Sequence, residues 1–384
     1  KVNYETRDQR SFDLSLDYSK EDAGRAGLPA YPSPRARAES EAFSSIFSCK
    51  AGRIKTGTHF SRFEKRNINP DKSSETTLEC WSLGENLTSS FSPGRWGVIN
   101  TGLNLELAQV EGNKVKSRQE EKYGVYASKD IDFETSPFNL GLGLRMNFYS
   151  EFDQAINPEF KVGFDSGAFN IQTAVSKTNN TPSFLQRYYE TSTTTPNSDL
   201  GMEQAINYSL TVSHQFRESL EESVTLFLSE IEDKISYVRG DGGIGSYQNL
   251  GEVTRKGVET QLKWKPNDFL EIKPSYTYLL ARDEQTGNWL SCSAKHRPKI
   301  DIQYKPTSKS TLTLNTKYIS KQFTRSDNKT SVPGYFIADF RADYFMEKVG
   351  LFFKVKNLFD KSYYYGDGYP APPRTWLIGA NYEF

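Results

Sequence analysis

The sequence predicts an all-β protein, an antiparallel transmembrane β-barrel with about 18 visible strands. Three observations carry that prediction. Apolar and polar side chains alternate with period two along most of the chain. The links between the alternating runs are themselves short and long by turns. No stretch approaches the roughly 18 consecutive apolar residues a membrane helix needs, whereas a transmembrane strand needs only about 9–11, of which alternate ones face lipid.

The elements read in chain order. "KVNYETRDQRS" opens directly into strand-like sequence, with no start Met and no signal-peptide pattern, and is expected to be mature, trimmed or a fragment. The first clear strand is Arg10–Ser19. In "LGLGLRMNF", Leu140, Leu142, Leu144, Met146 and Phe148 share one face, and Gly141, Gly143, Arg145 and Asn147 the other. Ile206, Tyr208, Leu210 and Val212 oppose Asn207, Ser209, Thr211 and Ser213. Leu270, Ile272, Tyr276, Tyr278 and Leu280 oppose Glu271, Lys273, Ser275 and Thr277, with Pro274 as a local exception to strand hydrogen bonding. Leu312, Leu314 and Tyr318, then Phe336, Ala338, Phe340, Ala342 and Tyr344, then Val349, Leu351, Phe353 and Val355 continue the pattern. No amphipathic helix of ordinary length is expected.

Short links are expected near Lys265–Asn267, Pro306–Ser308 and Met346–Lys348. Long ones are expected at Lys20–Glu41, Asn67–Glu75, Lys177–Met202, Gly240–Ser246, Asp283–Ser291, Thr324–Val332 and Asp360–Pro373. Membrane barrels sort links this way, tight on the periplasmic side and long outside, and a soluble sandwich has no reason to. No blade-like repeat supports a propeller. An open edge in lipid would strand backbone N–H and C=O groups, so the sheet is expected to close.

Composition agrees. The 384 residues carry 48 Lys+Arg and 48 Asp+Glu, a zero balance that argues against nucleic acid. Mean hydropathy is −0.66, yet aromatics reach 14 %, which separates the chain from disordered sequence. Charged residues on the polar face (Arg145, Glu259, Lys263, Glu271, Lys273, Asp301, Lys317, Asp339, Arg341, Lys354) would be costly in lipid and must look inward, as a solvated wall or as a wall that hydrogen-bonds a plug.

The C-terminus adds a signature. Trp376, Ile378, Ala380, Tyr382 and Phe384 fall on one face of a last strand that ends in an aromatic residue. Gly379, Tyr382 and Phe384 form a pattern that resembles the terminal signal read by the barrel-assembly machinery of Gram-negative outer membranes. Upstream, "VKNLFDKSYYYGDGYPAPPRTW" resembles the C-terminal end of TonB-dependent outer-membrane receptors, through Asn357, Leu358, Phe359, Asp360, Lys361, Tyr363, Gly368, Tyr369, Pro370, Pro372 and Arg374. Asn249, Gly251, Gly257, Val258 and Glu259 resemble another strand of that family. Asn197, Asp199, Leu200 and Glu203 resemble one of its loops, with Ser198 and Met202 where proline is common. Asn357 and Asp360 suit turn caps and Gly257 close backbone approach, so these are read as architecture. Residues 1–150 fit by strand pattern alone.

The resemblance implies a barrel of about 22 strands holding a plug. Residues 1–384 would then be a partial outer-membrane barrel lacking the N-terminal plug and first strands; a complete smaller barrel, a passive porin-like channel, is the alternative. It further implies import of a bulky scarce solute such as a ferric siderophore or cobalamin, TonB acting through the plug, a small-molecule chelate or macrocycle ligand, and outer-membrane lipid around the barrel. No catalytic arrangement appears: His59, His214 and His296 lie far apart, "RGDGGIGS" is a loop tip, and Cys49, Cys80 and Cys292 have no metal spacing. No cofactor is expected. Arg187, Tyr188, Tyr189, Trp289, Tyr363, Tyr364 and Tyr365 sit in expected outer loops and are the ligand-contact candidates; girdle or loop packing is the other reading of the same aromatics.

Overall fold

A chain whose alternate side chains are apolar satisfies its backbone by pairing with strands of the same pattern. The computed structural model describes residues 2–5, 10–25, 27–28, 31–93, 97–133, 135–191, 193–240 and 243–382. Among them twenty strands enter the main ladders, beside the roughly eighteen read from sequence. Two of these are short: Val2–Glu5, antiparallel to Ser11–Gly24, and Thr194–Thr195, which runs parallel to 245–246. Residues fall into two compact units, Lys1–Val162, Ala174–Asn207 and Ile231–Glu252 in the first, and Gly163–Thr173, Tyr208–Glu230 and Val253–Phe384 in the second.

In the first unit Ser11–Gly24, Arg37–Ala51, Ile54–Asn69, Ser74–Phe91, Ile99–Gly112, Arg118–Asp132 and Phe138–Tyr149 pair antiparallel, each with the next. Register keeps the two faces distinct. One row runs Leu14, Phe47, Thr58, Glu85, Leu105, Tyr123, Phe148. The opposite face carries Asn86, Asn104, Gly124 and Asn147 in register. Leu14, Phe47, Leu105, Tyr123 and Phe148 all remain 36–45 % exposed, an apolar face that water would penalise and hydrocarbon accommodates. Glu85 in this row accepts hydrogen bonds from the Thr56 and Thr58 hydroxyls.

Above the apolar stretch the same face turns ionic. Tyr18 gives way to Lys20, Phe43 to Glu41, Phe60 to Arg62 and Trp81 to Glu79. Cross-strand pairs knit this band: Arg37–Asp22 at 2.6 Å, Arg62–Glu79 at 2.5 Å, Arg66–Glu75 at 2.8 Å, and looser Lys20–Glu41 and Arg66–Glu39 contacts. It corrects the sequence reading of Lys20–Glu41 and Asn67–Glu75 as long links. The strands continue through these charges, and the links shrink to 25–36 and the 3-10 turn Pro70–Lys72. Arg35 pins the two links together, its Nε 2.5 Å from Asp71.

In the second unit Leu270–Asp283, His296–Thr307, Ser310–Ile319, Tyr335–Met346, Val349–Lys356 and Thr375–Tyr382 pair antiparallel in chain order. Links 268–269, 308–309 and 347–348 alternate with 284–295, 320–334 and 357–374, the expected parity. Glu347 takes φ +50° in one tight turn. Pro274 keeps its place opposite Ile300, so the ladder passes through it. Gly257 matters sterically: a Cβ there would lie 2.0 Å from the Tyr278 carbonyl oxygen and 2.8 Å from the Phe227 ring. Among the described residues no helix is long and apolar enough to cross a membrane.

Candidate functional site

The 181–202 link of the first unit contains a helix of five residues, Phe184–Tyr188. Ser183 and Gln186 start it with a reciprocal capping box: the Ser183 Oγ accepts from the Gln186 N–H at 3.3 Å, and Gln186 Oε1 accepts from the Ser183 N–H at 2.8 Å. Such a short helix is not stable alone, so packing has to hold it. Leu78 and Val110, on the same face as Asn86 and Asn104, are 1 % and 0 % exposed beneath Phe184, Leu185, Tyr188 and Tyr189. An apolar patch at the end of the polar face is thereby covered.

Arg187 locks this contact. Its side chain and that of Glu120 are 3 % and 5 % exposed, and the two form an ion pair. Burial pulls the guanidinium below its usual pKa range, which makes a carboxylate partner necessary. The rings of Tyr188, Phe152 and Phe184 surround it at 4.9, 5.1 and 5.5 Å. Tyr189 is buried with its phenol pushed up to about 12 by desolvation, and Lys65 Nζ lies 5.3 Å from its ring. The rest of the link is tied to neighbouring strands. Tyr237 donates to the Thr193 carbonyl at 2.6 Å and Asn197 to the Tyr247 carbonyl at 2.8 Å. Asn249 exchanges hydrogen bonds with Gly201 at 2.8 and 3.2 Å.

Of the sequence candidates here, Arg187 and Tyr189 are buried anchors and Tyr188 is partly exposed. Sequence reasoning missed Glu120, Phe152 and Lys65, which no local pattern connects to Arg187. The capping box was legible as Ser-x-x-Gln and would have marked the helix start.

The second unit gathers the other candidates. Tyr363 is buried against Tyr335 at 4.4 Å, and its hydroxyl lies 3.2 Å from that of Tyr365. Burial, then the Tyr365 contact, raises the Tyr363 phenol far above its ordinary value. Tyr364 and Tyr365 stay exposed at 43 % and 52 %, on a small hairpin that pairs Tyr364–Gly366 with Tyr369–Pro370. Gln322 donates to the Tyr365 carbonyl at 3.3 Å, joining link 320–334 to link 357–374. The Asn328 side chain accepts from the Trp289 N–H through Oδ1 at 2.7 Å and donates from Nδ2 to the Trp289 carbonyl at 2.8 Å, and Lys295 Nζ stands 3.6 Å over the Trp289 ring.

The motif residues take structural positions. Asn357 is 4 % exposed at φ +52°; it accepts from the Lys361 N–H and donates to the Lys361 carbonyl, both at 2.9 Å. Leu358 N–H bonds the Ala338 carbonyl at 2.7 Å, and Phe359 is 66 % exposed. Asp360 accepts from the Arg374 N–H at 2.8 Å. Glu259 is exposed opposite Thr277. Gly379 leaves room for the Phe352 ring, which a Cβ would meet at 2.5 Å. Tyr382 is exposed, and Phe384 lies outside the described residues.

The chain is 25 % identical over 210 residues to an iron-regulated outer membrane virulence protein of Vibrio cholerae serotype O1; the match takes in 49 % of this chain and 32 % of that protein, so it spans about a third of the relative's length. Three solved structures share the fold. The siderophore receptor PirA of Acinetobacter baumannii aligns with a TM-score of 0.77 and 15 % identity over 100 % of this chain and 69 % of that one. The ferric enterobactin receptor PfeA of Pseudomonas aeruginosa gives 0.79 and 15 % over the same shares. The iron transporter FrpB of Neisseria meningitidis gives 0.79 and 13 % over 98 % and 69 %. Residues 1–358 match the family described as "TonB dependent receptor-like, beta-barrel", whose members are outer-membrane receptors and not enzymes. An alternating sheet with an apolar outer face, links sorted by length and a match over nearly its whole length together place the chain in the TonB-dependent receptor β-barrel family of the Gram-negative outer membrane.

Proposed function

We propose that residues 1–384 supply barrel wall and outer loops to a receptor that imports a ferric chelate of the siderophore class, with TonB as the energy-coupling partner. The observation that carries this reading is the cluster of links 284–295, 320–334 and 357–374. There, exposed Tyr364 and Tyr365 stand on an anchored base of Tyr363, Tyr335 and Gln322, and Trp289 carries a lysine over its ring. Aromatic faces and cations held on interlocked loops suit a bulky anionic chelate, which gains from stacking and from pre-organisation. The names of the relatives, iron-regulated and siderophore receptors, support a ferric cargo over cobalamin. In this reading the barrel-assembly machinery recognises Gly379, Tyr382 and Phe384, and lipid wets the apolar face.

The test is iron-limited growth and uptake of labelled ferric siderophores by cells carrying the native gene, its deletion, or a Tyr364→Ala/Tyr365→Ala variant. Uptake should depend on the gene and on TonB, and the double variant should weaken ligand binding at least tenfold. Steady open conductance of the native full-length protein in a planar bilayer, with uptake independent of TonB, would establish a passive channel and end this reading.

A further inference from the structure

Midway along Phe138–Tyr149, between the outward-facing Leu144 and Met146, Arg145 stands on the polar face of the first unit. Among the described residues no carboxylate pairs with it. Its Nε donates to Asn147 Oδ1 and its Nη2 to Asn104 Oδ1, each at 2.9 Å, and its guanidinium lies 5.9 Å from the Tyr126 ring. Both acceptors are neutral amides, so they orient the cation without cancelling its charge. Each belongs to a longer chain of amides. Asn104 bonds Asn86, Asn147 donates to Asn179 at 3.1 Å, and Asn157 donates to the same oxygen at 2.7 Å.

The floor of the arrangement is cleared by glycine. A Cβ at Gly124 would lie 2.9 Å from Arg145 Nη2 and 3.0 Å from Asn147 Oδ1, and one at Gly102 would lie 2.1 Å from the Tyr126 ring. The nearby acids are already engaged: Glu159 with Lys161 at 2.9 Å, and Glu106 with Lys122 at 3.7 Å. Arg341, on the polar face of the second unit, shows the contrasting case, gripping Asp343 through both carboxylate oxygens.

We propose that Arg145 is an oxyanion-binding station on the inner wall, taking a carboxylate or phosphate group presented by a solute or by an acidic side chain seated against that face. A guanidinium offers five N–H donors in a fixed fork, and here two are committed to positioning it. With apolar residues lining the lipid side at this level, the low-dielectric wall strengthens its field toward the interior.

The test uses the full-length protein in detergent micelles, with pyrophosphate as the probe in isothermal titration and the thermal unfolding midpoint as a second readout. Variants are Arg145→Gln, Arg145→Lys, Gly124→Val and, for a cation already paired, Lys161→Gln. If a free anion fills the station, native protein binds pyrophosphate, Arg145→Gln and Gly124→Val weaken it at least tenfold, Arg145→Lys recovers part, and Lys161→Gln behaves as native. If an acidic side chain fills it, native protein binds no pyrophosphate, Arg145→Gln lowers the unfolding midpoint more than Lys161→Gln does, and Arg145→Lys restores it. The proposal is overturned if pyrophosphate binding survives Arg145→Gln, or if Arg145→Gln and Lys161→Gln are alike in both readouts. Neither readout involves iron uptake, so the outcome is independent of the cargo.

Discussion

Glu120→Ala should release the Phe184–Tyr188 helix from the wall. The substitution leaves the Arg187 guanidinium, 3 % exposed, without its carboxylate. Removing one partner of a buried ion pair costs about 3–5 kcal/mol, because the survivor is an uncompensated charge. The helix avoids that penalty by leaving its seat, so the loss falls on local opening and not on the whole sheet. At about 1.4 kcal/mol per factor of ten, amides of 184–189 should exchange roughly 100- to 4,000-fold faster, up to the limit set by their native protection. Hydrogen exchange read by mass spectrometry on peptides spanning 181–202 measures this, with the midpoint of global unfolding as the control. Glu120→Ala/Arg187→Met should recover most of the protection, since the apolar contacts of Leu185 and Tyr189 with Leu78 and Val110 remain. Unchanged exchange in Glu120→Ala, or equal exchange in the single and double variants, would refute the claim that this pair holds the helix.

Two further predictions concern link 357–374. Asn357→Ala removes two side-chain hydrogen bonds to Lys361 and places alanine at φ +52°, and should destabilise the folded protein by about 2–3 kcal/mol in urea titration, with Asn357→Gly recovering only the backbone share. The Arg374 N–H, with the guanidinium, holds Asp360 below the ordinary aspartate value of 3.8, so the contact contributes above that value and is lost as pH falls through the lower folded value. Protection of the Arg374 amide, taken relative to its intrinsic exchange rate at each pH, should therefore hold down to about pH 4 and fall only below it, and Asp360→Asn should abolish that pH dependence.

Much of the wall was legible because its cause is local. Alternation in Leu140–Phe148 or Leu312–Tyr318 fixes which face meets lipid, and register then follows from keeping that face intact. The parity of links was legible for the same reason. Lys20–Glu41 and Asn67–Glu75 were read as links although Lys20, Asp22, Glu39 and Glu41 keep strict alternation and pair across strands, because apolar alternation stops where this face turns ionic. The candidate site was only half visible. Aromatic residues in links 181–202 and 357–374 stood out, but whether each is an anchor or a free face depends on partners distant in sequence. Glu120 decides Arg187, and Tyr335 decides Tyr363. Tyr364 and Tyr365 differ from Tyr363 only by where a small hairpin turns them.

The ionic band above Phe60 and Trp81 has a mechanical meaning for a body floating in a film. Sinking by one outward-facing position, about 5 Å for a strand tilted near 45°, would bring Arg62 and Glu79 toward hydrocarbon, a penalty that rises to about 2–4 kcal/mol per cation at the midplane. Rising by the same distance would lift Tyr18, Phe43 and Phe60 into water. The four adjacent strands of the first unit repeat the boundary, so the penalties add along that stretch of the sheet. The band works as a load line, fixing how deep the hull rides and holding the loops at a constant height above the surface.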